Sequence, residues 1–172
     1  MELKKTLEKG HSKAQTNAIV SYIGNNKNRF KALVKVYLEG PYRITQRAAW
    51  VLSYAVENHP ALIHPHLKEI IDFLEQPGIH DAVKRNTMRL FQFIEIPKKY
   101  EGKILDLGFG YLQDRKEALA VRVFSMSVVA RIISDQPDLQ KELRILLEDE
   151  LAYAQPAFLS RAKKVLKQLP KH

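Results

Sequence analysis

The sequence predicts an all-α chain of stacked antiparallel helix pairs forming a short α-solenoid, and three observations lead there. Apolar residues recur at three- and four-residue spacing almost throughout, with no sustained alternation of the kind a half-buried strand shows. Prolines, glycines and short polar clusters cut the chain into helix-sized pieces at Gly40-Pro41, His59-Pro60, Pro77-Gly78, Pro97, Gln136-Pro137 and Gln155-Pro156. The pieces also repeat. Arg47, Arg85, Arg122 and Arg161 each stand near the start of an apolar helix, at intervals of 38, 37 and 39 residues. Each interval holds two helices, a period within the range of α-solenoids.

Taken in order, the periodicity predicts helices near 2–9, 12–24 and 28–39, the last closed by Gly40-Pro41. A helix near 43–58 runs to His59-Pro60, and one near 61–75 runs to Pro77-Gly78; His64-Pro65 delays or kinks the start of the latter. Helices near 80–95 and 98–113 flank Pro97, one near 116–135 ends before Gln136-Pro137, and those near 138–154 and 157–168 flank Gln155-Pro156. Residues 1–172 are expected to form one domain, with units near 12–40, 41–76, 79–113 and 116–154 and a C-terminal half-unit at 156–169. Met1–Gly10 and Pro156–His172 are expected to cap the array, because one helix pair cannot bury its apolar faces alone.

Composition narrows the function classes. The chain has no cysteine, which excludes disulfides, thiolate metal sites and cysteine nucleophiles. Its start, Met1-Glu2-Leu3-Lys4-Lys5, lacks the apolar run of a signal peptide. The most apolar stretch, Ala118–Ser134, carries Arg122 and Arg131 and is too short to span a bilayer. A cytoplasmic location and no membrane span are expected. The formal charge of +9 and a pI near 9.7 favour acidic partners.

The repeat pattern over roughly residues 12–169 resembles the HEAT-repeat, armadillo-like family. The four arginines match the basic residue near the start of that family's second (B) helix, and Leu67–Leu74 and Leu139–Leu147 look like its first (A) helices. The resemblance implies a right-handed solenoid with B helices on the concave side. It also implies an aspartate ahead of each arginine. Here Asp81 precedes Arg85 and Asp114 lies further ahead of Arg122, whereas Arg47 and Arg161 have none, so no regular Asp–Arg ladder is expected.

Charge is segregated along this frame. No acid occurs in 41–56, 82–94, 118–134 or 156–172, stretches that coincide with the expected B helices. They carry Arg43 and Arg47, then Lys84, Arg85 and Arg89, then Arg122 and Arg131, then Arg161, Lys163, Lys164, Lys167 and Lys171. Partly buried helices hold few charges, and long cationic stems tolerate burial. Yet Lys84 and Arg85 fall near a helix start, where the dipole disfavours cations, so a carboxylate or an anionic ligand should compensate them. Arg47, Trp50 and Tyr54 share one helical face, and the matching residues are Arg85, Met88 and Gln92, then Arg122, Ser125 and Val129, then Arg161, Lys164 and Gln168. Arg47, Trp50, Tyr54, Arg85, Arg89, Arg122, Arg161 and Lys164 are the expected partner-binding residues, unless Trp50 and Tyr54 are core between repeats.

No catalytic or metal constellation is expected. His59, His64 and His66 surround two prolines in a turn with no suitably spaced carboxylate, and read as a solvated turn. His80-Asp81 reads as a helix-capping pair. Leu107-Gly108-Phe109-Gly110 lacks the preceding strand and third glycine of a dinucleotide fingerprint, so its glycines are expected to admit close helix approach. Glu148-Asp149-Glu150 reads as a solvated face. The favoured function is a non-enzymatic, cofactor-free scaffold holding an acidic protein or peptide. The alternative is a nucleic-acid binder similar to the HEAT-like DNA alkylation-repair glycosylases, without their catalysis, since their catalytic aspartate has no counterpart in the acid-free helices. A third is an enzyme site assembled from distant residues, such as the histidine turn against Glu101 or Asp106.

Overall fold

A computed structural model describes residues 1–170; among them every regular element is helical, as expected for an all-α, HEAT-like solenoid. Lys171, the last basic residue of the acid-free C-terminal stretch, lies outside the described residues. In chain order the helices are α1 (Leu3–Glu8), α2 (Lys13–Ile23), α3 (Lys27–Glu39), α4 (Tyr42–Asn58), α5 (Leu67–Leu74), α6 (Asp81–Leu90), α7 (Lys98–Gln113), α8 (Leu119–Ile132), α9 (Pro137–Glu150) and α10 (Pro156–Gln168). The His64-Pro65 signal has a structural form: Pro60–His66 winds as a 3₁₀ helix, and the α-helix starts only at Leu67. Proline removes a backbone donor, and the tighter winding accommodates that loss.

Local chemistry sets the boundaries. Ser12 accepts from the Gln15 amide at 3.1 Å and Asn26 from the Arg29 amide at 3.0 Å, opening α2 and α3. His80 opens α6, its Nδ1 accepting from the Ala82 amide at 3.0 Å. Gly24, at φ 47°, ends α2 in a conformation that costs a side chain strain. Gly40 ends α3 for a different reason, since a Cβ there would stand 2.4 Å from the Val36 carbonyl oxygen.

The chain forms two compact units, Met1–Glu95 and Ile96–His172. In the first, α4 is the central helix, packed by α3 and α6 and also by α1 and α2. Its small residues Ala48, Ala49, Ser53 and Ala55 are buried and let its neighbours approach closely. Phe30, Tyr37, Leu52, Ile70 and Phe91 fill the surrounding core. In the second unit α8 is the central helix, packed by α7 and α10, with Val121, Met126, Val128, Val129 and Phe158 inside.

The glycine reading is corrected at Gly110, which is exposed with open space where a Cβ would project; Gly108 is buried in α7. The core of the second unit also holds an unsatisfied hydroxyl, for Ser125 Oγ is fully buried with no hydrogen-bond partner among the described residues. An unpaired buried hydroxyl costs about 1–3 kcal/mol, offset by the packing its atom provides. Ser125→Ala should therefore raise stability by about 0.5–1 kcal/mol in urea titration. A loss of stability would mean that the hydroxyl is satisfied in solution.

Candidate functional site

The sequence-selected basic residues divide into two groups by what their guanidinium groups touch. Helices end with unsatisfied carbonyls and a partial negative charge, a natural partner for arginine. Arg47 Nη1 donates to the Leu7 carbonyl at 2.6 Å and the Glu8 carbonyl at 3.1 Å, closing α1. Arg122 does the same for α7, with Nε and Nη2 donating to the Leu112 carbonyl at 3.1 and 2.8 Å. Two arginines outside the repeat series act alike, Arg29 on the Tyr22 carbonyl at the end of α2 and Arg144 on the Leu166 carbonyl in the last turn of α10 and the Leu169 and Pro170 carbonyls just beyond it.

Ion pairing engages two of the selected residues further. Arg122 is buried, donates to Glu150 at 2.7 Å, and stacks over Phe158 with its guanidinium carbon 4.7 Å from the ring centroid. Arg89 donates to Ser53 Oγ and Glu57, each at 2.7 Å, while lying between Tyr54 and Phe93 at 4.7 and 4.8 Å. Arg122 and Arg89 are struts whose guanidinium groups are already engaged by acceptors of their own unit. Sequence reasoning placed them on an acid-free stripe because Glu57 and Glu150 lie outside the acid-free stretches; the fold brings those acids back. The next members of the Arg-Trp-Tyr stripe are also interior, with Met88 and Ser125 fully buried.

Glu150 is the corresponding correction to the acidic run. Burial alone would push its carboxyl up, but hydrogen bonds and charges from Arg122 and Arg115 outweigh that and hold it below the usual range. Successive residues turn by about 100° around a helix. Asp149 therefore stays exposed and Glu148 pairs with Arg144 at 2.9 Å, while Glu150 faces inward. In the histidine turn, His59 and His66 are half-buried, and His66 Nδ1 lies 3.1 Å from Glu69 Oε1.

Of the remaining selected residues, Trp50 and Arg85 line a cavity in the first unit and Arg161 and Lys164 one in the second, while Tyr54 lines neither. In the first unit a cavity of about 360 Å³ opens between α4 and α6. Arg43, Gln46, Arg47 and Trp50 contribute from α4, and Ala82, Arg85 and Asn86 from α6. His11, from the α1–α2 connection, completes the wall and meets Trp50 edge-on at 5.9 Å. Trp50 is half-buried and also meets Tyr54 edge-on at 6.4 Å. No aspartate or glutamate lines this cavity. Arg43 and Arg85 are exposed and have no hydrogen-bond or ion-pair partner among the described residues. In the second unit a cavity of about 420 Å³ between α8 and α10 is lined by Arg131, Arg161, Lys164 and the polar side chains Ser127, Ser134, Gln140 and Gln168, with no aspartate or glutamate among the described lining residues.

The sequence-selected set omitted His11, Gln46 and Asn86, and Arg43 entered only through the charge pattern. Arg43 had a usable signal, since it lies four residues before Arg47 on the same helical face. His11 had none, because its place beside Trp50 is created by tertiary packing. Among the described residues no helix is long and apolar enough to cross a membrane, and no group of three or more potential ligands is set to hold a metal ion. A family model for the HEAT repeat domain matches residues 3–169. No curated protein and no solved structure matches the chain.

Proposed function

The chain belongs to the HEAT-repeat family, and we propose that it is a non-enzymatic scaffold that holds an acidic protein partner through its basic cavities. The observation that carries this reading is the α4–α6 cavity, where Arg43 and Arg85 stand exposed and unpartnered beside Trp50 in a lining with no carboxylate. The contrast with Arg47 and Arg122 gives it weight. Those members of the same repeat series are engaged with helix-end carbonyls, whereas Arg85 and Arg161 have no such engagement. Arginine forks bind carboxylates in two-pronged geometry, and a nearby tryptophan is a frequent interface anchor. In the second unit Arg161 and Lys164 supply a further basic contact.

A fluorescein-labelled peptide rich in Glu and Asp tests this reading by anisotropy. Arg43→Glu/Arg85→Glu should weaken its binding at least tenfold, with the circular-dichroism spectrum unchanged because both residues are exposed. Unchanged affinity would overturn the reading. One observation favours nucleic acid as a second reading: Trp50 shares a cavity lining with three arginines, a combination suited to stacking a base and holding its phosphate. A single-stranded oligonucleotide bound more tightly than the acidic peptide, with affinity falling steeply as salt rises, would select it.

A further inference from the structure

Resting on the acidic-partner reading, we propose that the α4–α6 cavity recognises a phosphorylated side chain of that partner rather than a plain carboxylate. The stoichiometry of charge points there. Three arginines, Arg43, Arg47 and Arg85, line one cavity, and no acid among its lining residues offsets them. A single carboxylate offers one negative charge and two oxygens, which one arginine fork saturates. A phosphomonoester brings a charge of about −1.5 to −2 and three terminal oxygens, enough to engage more than one fork.

The other lining groups fit the same ligand. Arg47 is anchored by the Leu7 and Glu8 carbonyls through Nη1, so its guanidinium is held in place before any ligand arrives. Ordering is thus partly complete in the free protein, which favours binding. Gln46 is half-buried, has no partner among the described residues, and adds an amide donor. Trp50 and Ala82 supply apolar wall against which the carbon portion of a phosphorylated residue can lie. At about 360 Å³ the cavity has room for a whole side chain and its phosphoryl group, well beyond what a carboxylate needs.

The chain's only tryptophan is Trp50, so its intrinsic fluorescence reports directly on this cavity. The test titrates the full chain with one acidic nonapeptide in four versions, carrying phosphotyrosine, phosphoserine, glutamate or serine at the central position. Calorimetry and Trp50 fluorescence follow binding, and inorganic phosphate and a single-stranded oligonucleotide serve as separate ligands. At least one phosphorylated peptide is expected to bind tenfold or more tightly than the glutamate version, with a change in Trp50 emission. Arg43→Lys/Arg85→Lys, which keeps the charge but loses the forks, should lower that affinity about tenfold while leaving the weak binding of the glutamate peptide within about threefold.

Equal affinity for the phosphorylated and glutamate peptides would overturn the phosphate inference and leave the acidic-partner reading standing. Binding of none of the four peptides would overturn both. Inorganic phosphate bound as tightly as the phosphopeptides would replace the side chain by the free ion as ligand. An oligonucleotide bound more tightly than any of the peptides would overturn the inference in favour of nucleic acid.

Discussion

Replacing Arg122 with methionine is expected to destabilise the protein by about 3 kcal/mol, although methionine fits the apolar surroundings. Arg122 is nearly inaccessible and satisfies both the Leu112 carbonyl and Glu150. Removing it leaves a buried carboxylate with one remaining partner, Arg115, whose Nε donates to the other Glu150 oxygen at 2.7 Å. That surviving contact keeps the loss at the low end of the range for broken buried pairs. Adding Glu150→Leu to Arg122→Met should recover part of the loss, because no buried charge then remains, and a double-mutant cycle in urea measures the coupling. A double variant less stable than the sum of the two single losses would contradict this account.

The pH dependence follows from the same carboxyl. Its folded-state pKa is depressed, so its contribution is complete above the ordinary unfolded value of about 4.3 and is lost as pH falls through the lower folded value. The stability difference between the native protein and Glu150→Gln, measured at pH 7, should narrow on acidification below about pH 4. A gap that stays constant through that window would mean that Glu150 is not the group being titrated.

Arg144→Ala should cost about 3 kcal/mol, and Arg144→Lys should recover less than half of it. Arg144 is buried; Nε donates to the Pro170 carbonyl at 2.8 Å, and Nη2 reaches the Leu166 and Leu169 carbonyls at 2.9 and 2.8 Å. Lysine brings the charge but cannot reproduce a planar fork facing three carbonyls. The loss should be visible locally, as faster hydrogen exchange at the Leu169 amide, which bonds the Val165 carbonyl. A lysine variant as stable as the native protein would show that charge alone suffices. Arg144 sits in an A-type helix outside the repeat series, and nothing in its local sequence distinguishes it from a solvated helix arginine.

Four arginines at nearly equal spacing look equivalent in sequence, yet they do different work. Arg122 closes a helix end, Arg47 closes one and also lines a cavity, and Arg85 and Arg161 line cavities without any such engagement. The spacing reports only that each stands near the start of a comparable helix; the acceptor it meets depends on where a neighbouring helix stops. Trp50 shows the same division. Its face was legible from Arg47 and Tyr54, but its half-burial against His11 depends on how the α1–α2 connection returns to α4. The acid-free stretches predicted a surface without carboxylates. Long side chains from Glu57 and Glu150 remove Arg89 and Arg122 from it, while the described lining of the two cavities keeps that character.

The all-α class, the order of the helices, their approximate breaks and a delayed helix start near His64-Pro65 were legible in the sequence, whereas the 3₁₀ winding of Pro60–His66 was not. Each of the legible features depends on contacts within a few residues, on apolar spacing, missing backbone donors and capping side chains. Tertiary structure decided which arginines are struts and which face a cavity. A guanidinium on a long flexible stem takes the nearest strong acceptor, and that acceptor lies 40 residues away for Arg47 and 28 for the Arg122–Glu150 pair.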